Sequence, residues 1–137
     1  MKPVIQQEAT GCAIASAAAL AGVSYAAAKR VAASLCIHAG DPGLWSDTAH
    51  IRRLLKHYQI RTNAEQTPFK NWAALPDHAL LAIKWHKENG IPYWHWVVFV
   101  REANGEEYVL DSKKALKRNR RTDFGRIRPK WFIGVTP

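Results

Sequence analysis

Residues 12–21, CAIASAAALA, constrain this chain more than any other stretch. Six of the ten are alanine, and none is charged. Alanine is the strongest helix former, and small side chains let a helix lie close to whatever it packs on. A run this apolar must be buried, yet it is too short to cross a bilayer. The spacing therefore predicts a core helix, stopped by Gly22 in the usual place for glycine beyond a helix end. Ser24 then caps a second helix, YAAAKRVAASL, with Lys29 and Arg30 on its wet side. Ser46 is expected to cap a third helix through about Tyr58, where Ile51, Leu54, Leu55 and Tyr58 keep helical spacing. Residues 38–43 between them read as a loop.

The second half changes pattern. Residues 79–86, ALLAIKWH, and 92–101, PYWHWVVFVR, are apolar, β-branched and aromatic, as strands are. Asn104-Gly105 marks a turn, 107–111 a returning strand, and 131–135 a last strand. Helices first and antiparallel strands afterwards give an α+β fold. With 137 residues and no low-complexity linker, residues 1–137 are one domain. A hydrophobic share of 47% excludes a disordered chain.

Charge is unevenly placed. The net charge is +9. Residues 113–130, KKALKRNRRTDFGRIRPK, hold nine Lys/Arg and one Asp, so nearly all of it sits there. Such a segment is either a solvated edge or a docking surface for an anionic partner. Two cysteines, Cys12 and Cys36, do not make a disulfide framework and suit a reducing, cytoplasmic setting. No cofactor is implied. Cys36 and His38 lack further ligands for zinc, and His38, His50, His57, His78 and His86 are scattered as surface residues are. The N-terminal apolar run is rich in Ala and Ser and preceded by Glu8, which argues against a secretory signal.

Three residues join into a chemical pattern. Cys12 opens a helix, where the macrodipole stabilises negative charge and a nucleophilic thiolate would be placed. His95 lies inside an otherwise apolar strand and needs a polar partner. Asp111 closes the next strand and can orient an imidazole. Taken singly, each has a bland explanation as a core thiol, a hydrogen-bonded histidine and a turn former. Hairpin arithmetic tests the combination. A two-residue loop at Asn104-Gly105 makes paired residue numbers sum to 209 and sends His95 and Asp111 to opposite faces. A three-residue loop, Ala103-Asn104-Gly105, gives 208 and makes them diagonal neighbours on one face, about 7 Å apart. Catalysis predicts the second loop. The Gln6 amide and the Cys12 N–H are candidate donors to an oxyanion, with Gln7 the neighbour that could be confused with Gln6.

The segment QQEATGCAIASAAALAG resembles the start of papain-like cysteine peptidases, with Gln6 six residues before Cys12. The later HWVVFV and YVLDS, with His95 and Asp111 sixteen apart, resemble more narrowly the bacterial double-glycine peptidase domains. The likeness runs from Gln6 to about Ser112, departing where Ala13 follows the cysteine and Ser112 follows the acid. It implies a papain-like fold and a peptide or protein substrate. It implies Cys12 as nucleophile, His95 as general acid and base, Asp111 as orienting residue and Gln6 as oxyanion donor. The alternative is an inactive papain-like module that binds nucleic acid or another anion through residues 113–130.

Overall fold

A computed structural model describes all 137 residues. Three helices pack on one face of a seven-stranded antiparallel sheet, an α+β architecture. The helices are α1 (Cys12–Ala21), α2 (Tyr25–Ser34) and α3 (Ala49–His57). The strands are β1 (Arg61–Thr62), β2 (Thr67–Pro68), β3 (His78–Glu88), β4 (Ile91–Arg101), β5 (Glu107–Leu110), β6 (Arg120–Arg121) and β7 (Trp131–Thr136). They run in the order β1-β7-β3-β4-β5-β6, with β2 on the other part of β7.

The alanine-rich run is the central helix. All of α1 but Ala21 is buried, and Gly22 ends it in the left-handed region at φ +70°. Ser24 caps α2 by accepting from the Ala27 N–H. The start of α3 differs from expectation. It begins at Ala49, and the capping oxygen belongs to Asp47, which accepts from Ala49 and His50. The stretch around Ser46 is drawn instead into a 3-10 turn, Pro42–Trp45, because Asp41 accepts from the Gly43 N–H. No single helix is long and apolar enough to cross a membrane.

Alternation along β4 divides the core. Trp94, Trp96, Val98 and Val100 face the helices and join the larger cluster. Val97 and Phe99 face the other way, into a smaller cluster with Leu75, Leu81 and Ile127. Burial of this much aliphatic and aromatic surface, roughly 2 kcal/mol per large side chain, holds the layers together. β3 and β4 close through Asn89-Gly90, both at positive φ, as a two-residue hairpin turn requires. A bulge interrupts their ladder: Ile83 pairs with His95 but His86 with Tyr93, so Lys84 and Trp85 together oppose Trp94. The basic segment is not a simple solvated edge, since it supplies β6 and buries Ile127.

Candidate active site

The β4–β5 hairpin has the three-residue loop. Val98 pairs with Leu110 and Arg101 with Glu107. The Gly105 N–H closes onto the Glu102 carbonyl at 2.9 Å, with Gly105 at φ +88°. A side chain there would be strained, so glycine sets the loop length. In this register Asp111, just past β5, comes onto the face of His95. The His95 Nε2 lies 2.7 Å from Asp111 Oδ1.

Because β5 ends opposite Val98, the preceding part of β4 has no partner beyond it on that edge. The N-terminus of α1 comes in there. Cys12 Sγ accepts from the Trp96 N–H at 3.5 Å, which places the thiol beside the residue following His95. Gly11 makes the approach possible: a Cβ at that position would collide with the Tyr25 hydroxyl. That hydroxyl donates to the Glu8 carboxylate, which also receives Lys29, so the turn before Cys12 is tied to α2. Cys12 is fully covered in this conformation, while Cys36 is exposed.

Asp111 is 1% exposed and fully committed. Its Oδ1 also accepts from the Lys113 N–H at 3.1 Å, and its Oδ2 from Arg121 at 3.0 Å. Arg121 is held in turn by Asp123. Asn119 clamps the intervening loop by donating to the carbonyls of Asp111 and Lys113. Burial opposes charge on both members of the pair, but their contacts win. For His95, burial lowers its affinity for a proton, while the Asp111 hydrogen bond and then Cys12 raise it, to a pKa of about 9. For Asp111, burial raises the pKa, but His95, the Lys113 N–H and Arg121 pull it down to about 2. The pair is therefore an imidazolium–carboxylate at neutral pH. With Nε2 on the acid, Nδ1 is the ring atom left for the thiol.

Gln6 is placed in the same region but differently employed. Its Nε2 donates to the carbonyls of Glu8 and Ala9, both at 3.0 Å, and its Oε1 accepts from Ser112 Oγ at 2.7 Å. The Gln6 N–H also donates to the Ser112 carbonyl at 3.0 Å. The amide orientation is unambiguous, because flipping it would set an oxygen against two carbonyls. Both donors of Gln6 thus brace the loop that delivers Cys12. Gln7 is exposed and bonds only weakly to Ile5.

Arg121 is the site neighbour that sequence reasoning missed. It belongs to a segment read only for its net charge, and no periodicity marks one arginine there as special. No group of three His, Cys, Asp or Glu is arranged to hold a metal ion. Comparisons with models of known families, with curated proteins and with solved structures found no match to this chain.

Proposed function

We propose that this protein is a papain-like cysteine peptidase or amide hydrolase. The observation that carries this reading is the placement of His95 between Asp111, at 2.7 Å, and Cys12, whose sulfur meets the adjacent Trp96 N–H. With its proton already on His95 Nδ1, Cys12 Sγ attacks the carbonyl carbon of an amide as a thiolate. His95 then gives that proton to the departing amine, leaving a thioester on Cys12. A water attacks the thioester, losing its proton to His95, and the sulfur leaves as a thiolate beside the imidazolium, with a carboxylic acid as product. Asp111 fixes the ring and stabilises the imidazolium throughout. The Cys12 N–H at the start of α1 suits the developing oxyanion. Gln6 joins it only by releasing one of its two loop carbonyls. Both cysteines are free, which fits a reducing compartment such as the cytoplasm.

The test is a competition between two thiols under iodoacetamide near neutral pH, read by peptide mass spectrometry. Exposure alone favours Cys36. The proposal expects Cys12 to alkylate faster in spite of its burial, through opening of the braced loop. Slow, unselective labelling of the folded protein counts against it.

The covering of Cys12 favours a second reading, a binding module for an anionic partner through residues 113–130. Its mark is affinity for a polyanion that falls steeply with salt and survives Cys12→Ala.

A further inference from the structure

Next to His95 the surface opens into a pocket of about 320 Å³. Trp45, Tyr93 and Trp94 contribute apolar wall, and Lys84 and Lys113 stand exposed at its edge. Lys84 points there from the bulge in β3, where its φ is +54°. A lysine rarely adopts this conformation, and the bulge imposes it here.

Charge around the pocket does not balance. Neither lysine takes part in an ion pair, although ten pairs hold other charges of the molecule. The pocket's own acid, Glu88, is exposed and meets His86 at 3.3 Å rather than either lysine. Asp111 behind it is taken by His95 and Arg121. The two lysines also disfavour one another: burial, then the neighbouring Lys113, lowers the pKa of the Lys84 ammonium. A bound anion would relieve this.

The pocket shares His95 with the proposed catalytic centre, so its occupant carries the reacting carbonyl. Nucleic acid brings phosphates but no amide for a thiol to attack. We propose that the pocket receives a carboxylate of the peptide substrate, with Lys84 and Lys113 as the residues that select it. This rests on the hydrolase reading above. The carboxylate is either an Asp or Glu side chain beside the scissile bond or the C-terminal carboxylate of the peptide.

Iodoacetate and iodoacetamide present the same carbon to a thiol, with and without a carboxylate. The iodoacetate-to-iodoacetamide rate ratio is expected to be about fivefold higher at Cys12 than at Cys36. In the double variant Lys84→Gln, Lys113→Gln the ratio, which cancels any change in the thiol itself, should fall to the Cys36 value. A ratio unchanged by the double variant overturns the proposal. If Cys12 reacts with neither reagent, the hydrolase reading fails, and binding decides the pocket. N-acetylglutamate α-amide carries only the side-chain acid, N-acetylglutamine only the terminal acid, and N-acetylglutamine amide neither. Each is titrated while the His95 ring resonances are followed by NMR. A saturating shift with one acid, absent with the neutral diamide and lost in the double variant, supports the pocket and names the source. A shift with all three, or with none, overturns it.

Discussion

The two cysteines sit at opposite kinds of helix end. Cys12 opens α1, at the positive pole, and is wholly covered. Cys36 follows α2, at the negative pole, in an exposed turn at φ +61°. Behind Cys12 stands the bonded series His95, Asp111 and Arg121, whereas no hydrogen bond joins the Cys36 sulfur to a histidine or an acid. The difference teaches that the two thiols differ in neighbours and helix dipole as well as in access, and the proposed chemistry needs the first two to outweigh the third.

The sharpest way to break the contrast is to remove the imidazole. His95→Gln should slow alkylation and turnover at Cys12 by about 10²–10⁴-fold, the usual worth of a general base. Labelling of Cys36 should stay unchanged, which serves as the control in the same sample.

A second contrast is with pH. The folded His95 titrates near 9 against an ordinary 6.5. Its stabilisation is therefore complete below about pH 6.5 and lost as pH rises through 9, a change of about 3 kcal/mol at most. Asp111, lowered from 3.8 to about 2, works in the opposite direction: its share is complete above pH 4 and lost as pH falls through 2. Both shifts describe largely one interaction, so they are not summed. Urea midpoints at pH 6 and pH 9.5 should differ in the wild type and converge in His95→Gln. Cys12→Ala should remove part of the difference, and Cys36→Ala none.

Arg121→Gln leaves one buried Asp111 oxygen without its cation. The expected cost is about 1–3 kcal/mol in denaturant unfolding, with a lower His95-dependent rate at Cys12. Gly11→Ala forces a Cβ against the Tyr25 hydroxyl and should cost about 1–2 kcal/mol by thermal unfolding.

Much of this was legible because it depends on periodicity and parity. The alanine run, the Gly22 stop, the Ser24 cap and the long strands follow from side-chain spacing. Counting loop residues reduces the His95–Asp111 encounter to a choice between two loop lengths, and the structure takes the three-residue one. What escaped depends on contacts between distant segments. β1, β2 and β6 are two residues long, too short to show alternation. Arg121 looks like its neighbours until Asp111 claims it. Asp47 outcompeted Ser46 because a preceding 3-10 turn shifted the start of α3. Asn89-Gly90 was an overlooked turn signal, and the bulge at Lys84 has no local mark at all. Gln6 kept its expected position beside the site, but its donors went to the loop.

The three residues between Glu102 and Glu106 carry a consequence for how this molecule can vary. Surface loops ordinarily gain and lose residues freely. Here a single insertion or deletion reverses the parity of the hairpin and carries Asp111 to the far side of the sheet, away from His95. The Asn89-Gly90 turn bears no such burden, since β3 contributes neither of the paired groups. Natural length variation should therefore gather at the first hairpin and be purged from the second, although both lie equally open to solvent.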